Sequence, residues 1–270
     1  MAALPLNQLT LGCSSVAEHL GFVALADAAE AMGEEDGRII GGQMISLHVY
    51  RWGLDLLRAT QDADLGVRPA VVNTPDLTDR LLAMGYTRSA GNRFEKPIEG
   101  LPAEDRKPRN AVIDILVPSY KTRVRENRAF GDHLVTTEVP GLASALQKPV
   151  VDLEVEVRML DNETRTIPVR LPDEVGALIL KLMARTVRDE DKDAIDVWRA
   201  LEACQAAGLN NVDLGSDEPA AHRILESQFR RGGSAIEQIA RAQNLSIEAA
   251  TALETRLQAL VAAVTGTSFA

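Results

Sequence analysis

Asp62 and Asp64, in the segment Arg58-Ala59-Thr60-Gln61-Asp62-Ala63-Asp64, are the residues with the clearest chemical potential. They lie two apart. In an extended segment, both carboxylates project from the same face. Held that close, they repel each other and raise each other's pKa unless a cation lies between them, and magnesium with phosphate is the common case. An isolated Asp-x-Asp is equally a solvated strand edge. Asp114 adds weight, because it interrupts the apolar run Ala111-Val112-Ile113-Asp114-Ile115-Leu116-Val117, where an ionised carboxylate is costly without a partner. Three carboxylates on neighbouring strands would make a two-metal site. The alternative is an aspartate paired with one of the nearby arginines.

Other residues could handle phosphate. Gly41-Gly42 follows the short apolar segment Arg38-Ile39-Ile40 and precedes a helical pattern, which places backbone N–H groups at a helix start, where anions bind. A bare Gly-Gly is more often simply a turn. Arg58 precedes Asp62 by four residues and could reach a phosphate oxygen, or be exposed. Lys181 interrupts Ala177 to Met183; it either extends to the surface or points at a triphosphate. On a continuous helix Arg185 and Arg188 would share its face, with Asp193 and Asp196 on the next helix pairing with that row or approaching the metal site. His19, His48, His133 and His222 show no ligand spacing, and His48 reads as packing or surface.

Positioning these groups requires a mixed α/β unit. Periodicity predicts a helix over 16–32, a strand at 38–40, a helix over 43–57 with a break near Gly53, and a strand over 60–67. A helix over 76–84 follows, with Asp76 as a possible cap and Gly85 as its stop. Hairpins are expected about Gly91-Asn92 and Asp161-Asn162, and a buried strand over 111–117. After Pro172 helices take over, at 173–187 and 190–207, the second stopped at Gly208. The tail is also helical, with Ser234 and Glu237 in capping-box spacing. The expected fold is α+β: a mixed-sheet domain over 1–170 and a helical domain over 171–270.

Bulk properties bound the function. The 270 residues carry a formal net charge of -10, which argues against a generic nucleic-acid binder. Residues 80–128, however, hold eleven Lys or Arg against six Asp or Glu, a basic stretch suited to a triphosphate or an RNA backbone. Aromatics at 4% leave little for base-stacking platforms. Cys13 and Cys204 have no metal spacing and build no disulfide framework, which fits a reducing, cytoplasmic setting. Neither a signal peptide nor a membrane span is expected.

These residues together resemble a known family. Ile39-Ile40-Gly41-Gly42-Gln43 with Arg58-x-Thr60-x-Asp62-x-Asp64 is similar to the glycine and Arg-x-Thr-x-Asp-x-Asp motifs of DNA-polymerase-beta-type nucleotidyltransferases. Leu171-Pro172, Lys181 to Ala184, Arg188, Lys192-Asp193 and Asp196 resemble the second signature of the AbiEii branch, which includes Men-type toxins of toxin–antitoxin pairs. The resemblance covers about residues 38–207. It implies a polymerase-beta-like core with Asp62, Asp64 and Asp114 as metal ligands for magnesium or manganese, Gly41 and Gly42 cradling phosphate, Lys181 on the triphosphate and Asp196 supporting catalysis. It also implies a nucleoside triphosphate as substrate, tRNA as acceptor and a cognate antitoxin as a partner. Two departures stand out: Gln43 occupies the family's Ser or Thr position, and the interval from Gly42 to Asp62 is longer than the family's. Lys121, Arg123, Arg125 and Arg128 follow the Asp114 strand, which makes Arg123 and Arg125 the candidate RNA contacts. Competing readings are a small-molecule (antibiotic) or protein nucleotidyltransferase and a non-catalytic nucleotide-binding regulator. A helix-turn-helix rhythm at 236–246 is a further reading; its second helix offers too few cations for DNA.

Overall fold

The computed structural model describes residues 5–55, 59–101, 109–120, 124–131 and 133–267. The fold is α+β with a mixed sheet. Five strands run in the order β2 (Gly37–Ile40), β3 (Asp62–Val67), β6 (Asn110–Pro118), β5 (Arg93–Pro97) and β4 (Thr87–Arg88). β3 and β6 are parallel, whereas β2 and β5 are antiparallel to their neighbours. A hairpin of β7 (Arg125–Phe130) and β8 (Leu134–Val139) joins the same sheet through a parallel pairing of β8 with β6. β6 therefore changes partner along one edge: residues 110–114 pair with β5, and residues 116–118 pair with β8.

A second sheet contains β1 (Gln8–Gly12), β9 (Val150–Arg158) and β10 (Thr164–Pro172). Strict alternation of exposed and buried residues along β9 marks it as covered on one face only. Helix α1 (Val16–Met32) packs against β3 and β6 of the large sheet and β10 of the small one. The other helices are α2 (Gly41–Arg51), α3 (Asp76–Ala83), α4 (Leu142–Ala145), α5 (Glu174–Ala184), α6 (Asp191–Ala206), α7 (Glu218–Gln228), α8 (Ser234–Ala242) and α9 (Ile247–Thr265). Buried residues of α2, α5 and α6 (Leu47, Ile179, Val197) join those of both sheets in one continuous core.

Most expected elements are present, with local corrections. The helix expected to reach residue 57 ends at Arg51 with Trp52 as its cap, before Gly53, whose φ is +62°. Asp76 lies inside the first turn of α3 and does not cap it. Ser234 also begins its helix rather than capping it; Gly233 is the cap, with no side-chain bond. A related arrangement, shifted by one residue on the carboxylate side, occurs at α1. There the Ser15 hydroxyl accepts from the Glu18 N–H, while the Glu18 carboxylate accepts from Ser14. β1 and the β7–β8 hairpin are additions that periodicity did not predict.

Candidate metal centre

The strand ladder brings the three aspartates together. Asp64 and Asp114 are direct cross-strand partners in the parallel β3–β6 pairing, and Asp62 projects from the same face two residues earlier. One carboxylate oxygen from each lies within 4.8 Å of the other two. All three donors are carboxylate oxygens, with no imidazole or thiolate among them. That set suits a hard divalent cation such as Mg2+ or Mn2+.

Electrostatics show what the cluster costs without a cation. Burial pushes the Asp64 carboxyl up to about 7, and the charges of Asp62 and Asp114 push in the same direction; Lys181 and Arg188 oppose them. Burial also raises Asp114, to about 6, against the pull of Arg93 and with help from Asp62 and Glu95. Arg93 is the β5 partner of Asp114, and its guanidinium stands 3.1 Å from Asp114 Oδ2. Asn92, in the turn before β5, donates to Oδ1 at 3.4 Å. Asp62 accepts from the Thr60 hydroxyl at 3.0 Å.

Gly41 is the first residue of α2 and has φ +70°. A Cβ there would lie 1.7 Å from Asp64 Oδ2. Only glycine therefore lets the Asp64 carboxylate approach the start of α2, where free N–H groups and the helix dipole favour negative charge. Gly42 follows in the same first turn. Gln43 is buried and packs beside Gly21 of α1, where an added Cβ would meet Gln43 Nε2 at 2.6 Å. It does not line the cavity described below. The long interval before Asp62 has a structural use: Arg51 and Trp52 at the end of α2 both bond the Glu174 carboxylate at the start of α5, Trp52 Nε1 at 2.7 Å. His48 is buried in this network, with Nδ1 3.3 Å from Glu174 and Nε2 2.9 Å from the Pro172 carbonyl oxygen. Burial alone would raise the Glu174 carboxyl; His48 and Trp52 beside it bring it down to about 2.

A cavity of about 470 Å³ opens over Asp64 and Asp114. Gly41, Asp64 and Asp114 form its floor, and Lys181 and Arg188 stand in its wall. Leu116, Val139, Pro140, Leu180 and Val187 supply an apolar side. The cavity opens where β6 leaves β5 and takes up β8, so Asn92 from the turn before β5, Leu116 of β6 and Thr137 of β8 all reach it.

Lys181 lines this cavity but does not project freely. It is buried, and its Nζ donates to Asp196 Oδ2 at 2.8 Å. Asp196 is thus a partner of Lys181 on α6 and is not among the three clustered aspartates. α5 ends at Ala184, so the expected row of Lys181, Arg185 and Arg188 on one helix face is broken. Arg185 turns to Asp189 and Gln228. Arg188 lies beyond the helix, makes a two-pronged bond to Asp193 and still lines the cavity.

Among the basic residues, Arg58 and Arg123 lie outside the described residues. Arg125 and Arg128 are exposed on β7, and both approach Glu138 of β8, at 3.6 and 3.5 Å. Their neighbours Val124 and Glu126 line the cavity, so this strand forms part of its rim. Asn92, Arg199 and Ser46 carry site contacts that sequence reasoning missed. Asn92 stood out only as a turn residue, and neither Arg199 nor Ser46 belongs to a recognisable spacing. No described helix is long and apolar enough to cross a membrane. The chain matches no protein-family model, no curated protein and no solved structure.

Proposed function

We propose that this chain is a metal-dependent nucleotidyltransferase of the polymerase-beta type. It moves a nucleoside monophosphate from a nucleoside triphosphate to the 3′ end of tRNA, as the toxin of a toxin–antitoxin pair. The observation that carries the reading is the convergence of Asp62, Asp64 and Asp114, the last two on the floor of a cavity that has cations in its wall and a helix start beside the carboxylates. In the transfer, an acceptor hydroxyl oxygen bonds the α-phosphorus and gives its proton to solvent, the bond from the α-phosphorus to the oxygen bridging to the β-phosphorus breaks, and pyrophosphate leaves with that oxygen. Mg2+ or Mn2+ held by the three aspartates would neutralise the triphosphate and lower the pKa of the acceptor hydroxyl.

The chain's own residues supply the rest. The first turn of α2, opened by Gly41 and Gly42, faces phosphate oxygens with N–H groups. Lys181 and Arg188 meet the charge of the β- and γ-phosphates and of the departing pyrophosphate. The apolar wall of Leu116, Val139, Pro140 and Leu180 takes base and sugar and keeps water from the reacting centre. Arg93 and Asn92 hold Asp114 in place. Arg125 and Arg128 on the rim favour an acceptor with many phosphates over a small cationic one.

The test is incubation of the full chain with each labelled triphosphate, Mg2+ and total cellular RNA. Transfer of label to tRNA is expected, as is its loss in Asp62→Ala and Asp64→Ala with folding retained. Full activity in either variant overturns the reading. Label found only on protein or small molecules overturns the acceptor.

A further inference from the structure

The cavity runs across the large sheet in the strand order β3, β6, β8, β7. Asp64 of β3 and Asp114 of β6 mark one end, and Glu126 of β7, with Thr137 of β8 beside it, lines the other. Three strand spacings separate β3 from β7, about 14 Å. A nucleoside triphosphate bridges such a span from its phosphates to its base.

The β7–β8 pairing is irregular at this end. Arg125 pairs with Glu138 and Arg128 with Thr136, so Glu126 and Asn127 together stand against Thr137. Asn127 has φ +57°, in the left-handed region that asparagine tolerates better than most side chains. Such a bulge adds one residue to a strand and re-aims its side chains. In a regular strand Arg125 and Arg128 would face opposite ways, and Arg128 would share the face of Glu126. Here both arginines approach Glu138, at 3.6 and 3.5 Å, and Glu126 is left to the cavity. Neither Glu126 nor the Thr137 hydroxyl makes a hydrogen bond or ion pair with a described residue.

A carboxylate accepts hydrogen bonds and donates none. It repels phosphate, so its use in this cavity is to bind a donor. On a nucleotide the outermost donors are the N–H groups of the base; the sugar hydroxyls lie one step nearer the phosphates. Cytosine, adenine and guanine carry an exocyclic amine. Uracil presents a carbonyl oxygen where cytosine has its amine, and a carboxylate repels it. The Thr137 hydroxyl, which both donates and accepts, suits the ring atom next to the amine.

We propose that Glu126 is a specificity-determining residue, placed by the β7 bulge to bind the exocyclic amine of the incoming nucleobase and to exclude uracil. The inference rests on the nucleotidyltransferase reading above and names the class of base that its apolar wall takes.

The experiment measures binding of each of the four labelled nucleoside triphosphates to the full chain with Mg2+ by equilibrium dialysis, with Tm recorded for each variant. CTP and UTP are nearly equal in size and differ at this edge, so their ratio is the measure. CTP should bind roughly tenfold or more tightly than UTP. In Glu126→Gln the amide can turn either its oxygen or its nitrogen to the base, so the ratio should fall to within about threefold, chiefly through tighter UTP binding. Glu126→Lys should reverse the order, because an ammonium donates to the uracil carbonyl and repels no acceptor. CTP and UTP bound alike by the natural chain, a ratio that survives in Glu126→Gln, or an unreversed order in Glu126→Lys overturns the proposal. An equal loss of both triphosphates in Glu126→Gln assigns the carboxylate to the sugar and overturns it too. If the natural chain binds none of the four, the nucleotidyltransferase reading itself fails and this inference falls with it; binding without discrimination overturns this inference alone.

Discussion

Asp64 and Asp114 stand side by side across the parallel β3–β6 ladder, and Arg93 flanks only Asp114. The two carboxylates therefore differ in electrostatic setting. Asp114 has a guanidinium at 3.1 Å, whereas Asp64 is wedged against Gly41, with Lys181 and Arg188 among the described residues opposing its rise. The same ladder that brings them close makes them repel, and a cation held between them would relieve that repulsion.

Stability of the metal-free chain should fall as pH rises. Both carboxyls are raised, Asp64 to about 7 and Asp114 to about 6. In the unfolded chain they lose their protons near pH 4. Between these values the unfolded state binds fewer protons, so each rise in pH favours unfolding until the folded carboxyls have also ionised. With EDTA present, urea midpoints should drop from pH 4.5 to pH 7, and Asp64→Asn should flatten the drop, worth about 2 kcal/mol after discounting for partial solvation. A variant whose profile matches the natural chain would disprove this origin.

Divalent cations should reverse that loss. An ion that binds only the folded chain adds about 2.7 kcal/mol at a hundred times its Kd. Mg2+ or Mn2+ should thus raise Tm in a concentration-dependent way at pH 8 and much less at pH 5. Thermal shifts that persist in the triple variant Asp62→Asn, Asp64→Asn, Asp114→Asn would place the ion elsewhere.

Lys181→Ala should cost both stability and triphosphate use. Sequence alone suggests a lysine whose removal leaves folding untouched. Its 2.8 Å bond to buried Asp196 changes that expectation. Arg199 still holds the other oxygen, so the loss should be about 2 kcal/mol rather than the full cost of an abandoned buried charge. Chemical denaturation alongside transfer kinetics checks both parts; unchanged stability contradicts the ion pair, and unchanged kinetics contradicts the phosphate role.

Replacing Arg125 and Arg128 with Gln should affect RNA far more than triphosphate. Both are exposed and share Glu138, an arrangement worth little to stability. Loss of two phosphate contacts should lower the salt dependence of RNA binding by about 1.4 in the log–log slope. Filter binding across a salt series measures it, and an unaltered slope excludes these arginines from the RNA path.

The sequence carried the site's floor better than its walls. Asp62, Asp64 and Asp114 were legible because alternation and an anomalous charge in an apolar strand are local signals. Gly41 was legible as a turn, but its contact with Asp64 comes from pairing between strands. β7 escaped notice because Arg125 to Ala129 are all exposed and show no alternation; it is a strand because β8 pairs with it. The Ser234–Glu237 spacing misled, since a capping box depends on where the chain enters the helix, and Gly233 already serves as the cap. Arg199 was invisible for a different reason: two of its partners are three residues away on its own helix and 153 residues away on α2.

The change of partner along one edge of β6 separates two kinds of inheritance. The aspartates sit on strands locked at the centre of the sheet, where a shift of one residue would turn all of them away from the cavity. Among the described residues, the β7–β8 hairpin pairs with β6 at three positions, Leu116 with Thr137, Val117 with Glu138 and Pro118 with Val139. A part attached so lightly can be lengthened, recharged or exchanged between relatives while the acidic floor stays fixed. Among descendants of one ancestor, the rim should therefore diverge first, and with it the choice of what enters.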